Sequence, residues 1–262
     1  MNEPLISIIT PSYNQGKYIE ETILSVINQT YRNIEYIIMD GCSTDETREV
    51  LEKYKDNNNI KIYIEKDKGQ TDAINKGFKM AKGELVGWIN SDDKLKPDCI
   101  QNIVEEYYKN KSASIFYGSI DFIDENGRKM KSKEIHEVDY NYLLNVNPDI
   151  NQIGSFYNTE YVRNIGYLNE TINFTMDYDL WLKLLKINKG IKLNKILGEF
   201  RMQSASKTMT HGNAIKFWKD IFKIRKENHS DKRKIFSKIH IRFYKWCLIA
   251  AINRFGIKVE IK

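Results

Sequence analysis

The sequence predicts an α/β fold built on a central, mostly parallel mixed sheet flanked by helices, and three observations carry that expectation. β-branched apolar runs alternate with segments of helical periodicity through the first half of the chain. Those runs are apolar almost throughout, rather than at every second residue, as strands covered on both faces require. The 262 residues suffice for one large domain, or for one domain with a small appendage. At that size roughly three quarters of the unfolded surface is buried, so no disulfide staple is needed.

Residues 6–12, ISIITPS, form a strand that stops at a turn. Residues 17–29 set Ile19, Ile23, Val26 and Ile27 at helical spacing, and the helix ends near Thr30 and Tyr31. Residues 34–40 are the second strand, and 43–55 a helix with Ser43, Thr44 and Asp45 as cap candidates. Residues 60–66 are the third strand, 71–83 a helix closed by Gly83, and 84–90 the fourth strand. Later the pattern changes. SIFYGSIDFIDENGRKM carries two strands around an Asn126-Gly127 turn, and 140–166 is mixed, with short helices. Residues 175–187 form an amphipathic helix with Leu180, Trp181, Leu184 and Leu185 on one face. Residues 1–215 are therefore taken as one domain, with halves 1–110 and 111–215, followed by a basic amphipathic helical tail, 216–262.

The net charge of +6 is unevenly spread. Residues 216–262 hold 14 Lys and Arg against 4 Asp and Glu, whereas the first 215 hold 27 against 31. In the tail, Phe217, Trp218, Ile221 and Phe222 form an apolar stripe among the basic residues. Such a segment either packs on the domain with a solvated basic face or lies on an anionic membrane surface. No nucleic-acid reading motif accompanies the charge, so a nucleic-acid partner is not expected. Cys42, Cys99 and Cys247 form no CxxC pair, which disfavours a disulfide framework or a zinc site and fits a reducing, cytoplasmic setting. Glu3 stands where an export signal carries Lys or Arg, so none is expected. No segment approaches the roughly 20 apolar residues of a membrane span.

In parallel sheets the ligand lies beyond the carboxyl ends of the strands. Pro11 to Asn14, Asp40 and Gly41, Asp67 to Gln70, and Ser91 to Asp93 should therefore converge. Asp92 and Asp93 are either a solvated turn or a pair whose repulsion a magnesium or manganese ion relieves, bridging to phosphate oxygens. Asp40 ends a strand, where it could accept a nucleobase N–H. Asp72 and Asn75 share a helical face, Asp72 as cap or donor-binding residue and Asn75 more as the holder of a neighbouring loop. Asp177 and Asp179 begin the 175–187 helix about 200° apart, so only one can face a cleft. That carboxylate serves either the helix dipole or general-base chemistry. The four His show no metal spacing, and only His211 lies near candidate chemistry. Phosphate loops of the GxxxxGK type, GxGxxG turns and Ser–His–Asp elbows are all missing from the sequence.

Five segments then combine: ISIITPSYNQGKYIEETILSVINQTY, IIMDGCSTDET, DKGQTDAINKGF, GELVGWINSDD and MDYDLWLKL. Their order and spacing, from Leu5 to Thr208, resemble glycosyltransferase family 2. The resemblance implies an inverting, metal-dependent GT-A fold that uses a nucleotide sugar, with a nucleotide-binding half and an acceptor-binding half. By it, Pro11 and Tyr13 flank the base, Asp40 contacts it, and Asp92 lies near the ribose or diphosphate. Asp93 holds Mn2+ or Mg2+, Lys207 reaches the diphosphate, and Asp177 is the base with Asp179 in reserve. Three positions depart from the family: Gly41 follows Asp40, Met176 stands in place of a Glu, and Gln203 in place of a His. The third leaves Gln203 or His211 to complete the metal site. The implied partners are a UDP-sugar, with GDP or dTDP as alternatives, and a glycan or polyprenyl-diphosphate-linked acceptor of bacterial surface polysaccharide. The rivals are a nucleotidyltransferase, whose signature loop TPSYNQGKY lacks, and a non-catalytic sugar- or lipid-binding module.

Overall fold

The computed structural model describes residues 3–148, 150–172, 174–203, 211–228 and 241. The first half alternates as expected: β1 (Ile6–Ser12), α1 (Ile19–Ile27), β2 (Ile34–Asp40), α2 (Thr47–Glu52), β3 (Ile60–Ile64), α3 (Gln70–Met80) and β4 (Leu85–Trp88). A short β5 (Lys94–Leu95) and α4 (Cys99–Lys109) follow. The second half holds the hairpin β6 (Ile115–Ile123) and β7 (Lys129–Lys133), then α5 (Tyr140–Asn145), β8 (Phe156–Asn158) and α6 (Thr159–Asn164). It ends with α7 (Met176–Ile187), β9 (Gly190–Arg201) and α8 (His211–Asn228).

The strands join one sheet in the order β3-β2-β1-β4-β8-β6-β9-β5, with β7 paired to the C-terminal end of β6. β3, β2, β1 and β4 are parallel, β8 runs antiparallel to β4 and β6, and β9 returns parallel to β6. The sheet is thus mixed and mostly parallel, as the sequence implies. Alternation within strands divides its two cores: Ile8, Tyr36 and Ile38 enter one, Ile9, Ile37 and Met39 the other. Order reverses at β1, which has β2 on one side and β4 on the other. Such a switch point opens a crevice at the carboxyl end of the sheet.

Four elements differ from the sequence reading. α2 begins at Thr47 rather than near residue 43, because Ser43 to Asp45 stitch two loops together. Asn14 N donates to Ser43 Oγ (2.8 Å), and Gly16 N to Asp45 Oδ2 (3.0 Å). α4, with Cys99, Ile100, Ile103 and Val104 buried, and the 12-residue β9 had no assignment from pattern. α8 crosses the expected boundary at 215/216 and packs on the domain. Ile221 and Ile224 are buried in the core with α7, and Arg225 Nε donates to Leu144 O (2.7 Å). Of the tail beyond Asn228, only Ile241 lies within the described residues.

Candidate active site

A cavity of about 590 Å³ opens at the carboxyl ends of β1 and β4. It brings together Pro11, Tyr13, Asp92, Asp93, Asp177 and Gln203, drawn from both halves of the chain. At one end Tyr13 is 59% exposed, beside Asp67. Gly41 lets these two close in: a Cβ there would stand 2.6 Å from Asp67 Oδ2 and 3.3 Å from the Tyr13 ring. Asp67, rather than Asp40, is the acidic residue beside Tyr13 on the cavity wall. Asp40 itself is outside the cavity lining and buried, its carboxylate accepting from Ser43 N (2.9 Å) and Ser43 Oγ (2.5 Å). Asp72 is also outside the lining, because its carboxylate holds Lys68 N (3.0 Å) and pairs with Lys76 (3.6 Å). Asn75 pins a neighbouring loop, exchanging hydrogen bonds with Leu168 O (3.0 Å) and Leu168 N (2.9 Å).

The acidic turn after β4 is asymmetric. Asp93 is 1% exposed, with Arg201 N donating to Oδ1 (3.0 Å) and Asn90 Nδ2 to Oδ2 (3.1 Å). Burial and the neighbouring Asp92 charge push its pKa well above the usual carboxylate range. Asp92 is half-buried and accepts from Gln203 Nε2. The Arg201 guanidinium, buried at the end of β9, donates to Asp92 O (2.9 Å), Glu125 O (3.1 Å) and Glu21 Oε2 (2.8 Å), and lies 4.8 Å from the centre of the Tyr18 ring. It ties the turn to α1 and to the hairpin loop. Arg201 has no motif of its own, and only its place two residues before Gln203 marks it.

Asp177 sits in the first turn of α7 and faces the cavity. Burial raises its pKa to about 6, while its own backbone, Tyr178 N (2.8 Å) and the Lys133 charge pull the other way. Asp179 points elsewhere, buried in an ion pair with Lys183 (2.7 Å). Lys207 lies outside the described residues, as does the side chain of His211. Among the described residues no group of three or more His, Cys, Asp or Glu is placed to hold a metal. At the cavity wall the Asp92 carboxylate and the Gln203 amide, joined through Gln203 Nε2, carry two kinds of hard oxygen. That number suits magnesium or manganese, which take few protein ligands when substrate phosphates supply the rest.

The family model for glycosyl transferase family 2 matches residues 7–172 of this chain. The chain belongs to glycosyltransferase family 2. Within the family it is 33% identical over 222 residues to the putative teichuronic acid biosynthesis glycosyltransferase TuaG of Bacillus subtilis, covering 82% of this chain and 85% of that one. Other family relatives are longer: the chain spans 32% of an uncharacterized glycosyltransferase of Rickettsia felis, at 33% identity over 70% of its own length. S. aureus TarS 1-349 in complex with UDP-GlcNAc shares the fold, with a TM-score of 0.69 at 21% identity over 90% of this chain and 69% of that chain.

Proposed function

We propose that the protein moves a glycosyl group from a nucleoside-diphosphate sugar to a hydroxyl of a glycan or lipid-linked acceptor, with inversion, in bacterial surface polysaccharide synthesis. The observation that carries this reading is one cavity holding both an acidic turn at the switch point and a desolvated carboxylate, Asp177. The similarity to TuaG supports the polysaccharide setting, and TarS, solved with UDP-GlcNAc, favours a UDP-sugar.

In this reading the base of the donor lies between Tyr13 and Asp67, with Pro11 beneath it. The cation falls to Asp92 and Gln203, half-buried at the cavity wall, in exchange for the Gln203 Nε2 bond to Asp92, rather than to Asp93, which is 1% exposed and accepts from Arg201 and Asn90 on both oxygens. A divalent cation, when bound, supplies Lewis-acid stabilisation of the departing diphosphate. Lys207 remains a proposed diphosphate contact, and His211 a proposed auxiliary ligand. Asp177 accepts the proton of the acceptor hydroxyl as that oxygen attacks the anomeric carbon, and its pKa of about 6 keeps it ionised at neutral pH. Asp179, held by Lys183, is not available for that role. Asp93 and Arg201 position the turn.

Asp92→Asn and Asp177→Asn, each with unchanged far-ultraviolet circular dichroism, test the assignment. Asp92→Asn should abolish the stimulation of transfer by Mn2+, and Asp177→Asn should lower turnover by about 10²–10⁴-fold. Full turnover in either variant would overturn it.

A further inference from the structure

Beyond Asp177 the cavity is walled by β7, β6 and β9, whose two faces carry different chemistry. Register sets Lys133, Ile120 and Gly198 in one row and Lys131, Phe122 and Phe200 in the next. Period-2 alternation puts both rows on one side of the sheet. The opposite side is a polar network: Lys96 pairs with Asp121 (3.0 Å) and Glu199 (2.6 Å), and Ser132 Oγ donates to Asp121 (2.8 Å). On the cavity side, Phe122 and Phe200 meet edge to face at 5.5 Å between ring centres. Both are half-buried, and neither belongs to the two cores of the described residues. Lys131 Nζ lies over the Phe122 ring at 5.3 Å, and the ring surface left at the cavity wall forfeits part of the free energy that full burial provides, which points to a ligand that covers it.

Two polar groups complete the wall. Asn151 is 2% exposed and lines the cavity; its Nδ2 donates to Gly118 O (3.1 Å), while Oδ1 has no hydrogen-bond partner among the described residues. Lys133 is the one cationic residue among the described residues that line the cavity, against Asp67, Asp92, Asp93 and Asp177. An anionic ligand entering among four carboxylates is repelled unless a cation meets it.

We propose that this wall is the acceptor subsite and that it takes a pyranoside bearing an anionic group. The apolar face of the sugar packs on Phe122 and Phe200, and Lys133 Nζ pairs with the anion. This rests on the transfer reading above. The anion is a carboxylate, as in a uronic acid, or a phosphate ester, and both present negative charge to Lys133.

The test is calorimetric titration of the intact chain, in the presence of UDP and Mn2+, with methyl β-glucoside, methyl β-glucuronide and glucose 6-phosphate. At least one anionic sugar should bind tenfold or more tightly than the neutral one. Lys133→Gln should reduce that preference to within twofold, Lys133→Arg should retain it, and Phe122→Ala should weaken all three sugars. A preference for the glucuronide assigns a carboxylate, and one for the phosphate ester assigns a phosphate. Equal binding of all three, or a preference that survives Lys133→Gln, overturns the subsite. If UDP binds and no preference appears, the subsite alone falls. If no nucleoside diphosphate binds while the lysine-dependent preference persists, the transfer reading falls and the wall stands.

Discussion

Asp177 and Arg201 show what single side chains decide in this cavity. The carboxyl pKa of Asp177 lies above its ordinary value, so the folded state holds that proton more tightly than the unfolded chain does. The resulting stabilisation is full below about pH 4 and is lost as pH rises through about 6. Activity has the opposite sign, because the ionised form is the base. A pH profile of kcat/KM should therefore rise through an apparent pKa of about 6 and then level off, and Asp177→Asn should not lower the melting temperature. Arg201 is buried and bonds to three separate segments, the acidic turn, the hairpin loop and α1, so Arg201→Ala should cost about 1–3 kcal/mol in denaturant unfolding by leaving the Asp92 and Glu125 carbonyls without their donor. Arg201→Lys keeps the charge without the planar fork, and should recover part of the stability while transfer stays impaired. The sequence made one of these assignments legible: Asp177 and Asp179 stand at a helix start on opposed faces, so only one could face a cleft. It did not separate Asp92 from Asp93. Which carboxylate is locked depends on a backbone N–H 108 residues away, and adjacency carries no sign of that.

Among the elements, the first-half strands were legible because their residues are apolar on both faces, and the helices between them repeat with helical periodicity. β9 was not. Its sequence GIKLNKILGEFR is interrupted by Lys192, Asn194 and Lys195, and its place is set by pairing with β6 and β5 rather than by local pattern. β8, with three residues, is too short to show any period. The pairing also explains Gly198, where a Cβ would lie 2.3 Å from Ile153 Cγ2 and 3.0 Å from Lys94 O. Gly198→Val should overpack this crossing by about 1–3 kcal/mol, seen as a lower melting temperature. The Phe122–Phe200 pair was missed for the same reason: it exists only once β9 lies beside β6.

At the scale of the whole molecule, the basic C-terminal segment divides into two parts. α8 is integral to the domain, and Ile221→Ala or Ile224→Ala should each destabilise it by about 2–5 kcal/mol in chemical denaturation. Residues 229–262 carry nine Lys and Arg against two Asp and Glu. We propose that they supply attraction to an anionic bilayer. Among the described residues no helix is long and apolar enough to cross a membrane. Deleting 229–262 should abolish sedimentation with phosphatidylglycerol vesicles, and undiminished sedimentation would refute the role. The two halves of the sheet meet at β8, through two register pairs to β4 and two to β6. What spans that junction is aromatic: Trp88 stacks on Tyr157 at 5.6 Å, and Trp181 Nε1 donates to Tyr157 OH (3.2 Å). Trp88 also forms part of the cavity floor. The fold thus carries an indole fluorophore at the boundary between its halves, in contact with whatever fills the cavity. Emission from the unlabelled protein should shift as a nucleotide is titrated in, and Trp88→Phe should silence the signal, so that occupancy can be followed optically before any turnover is assayed.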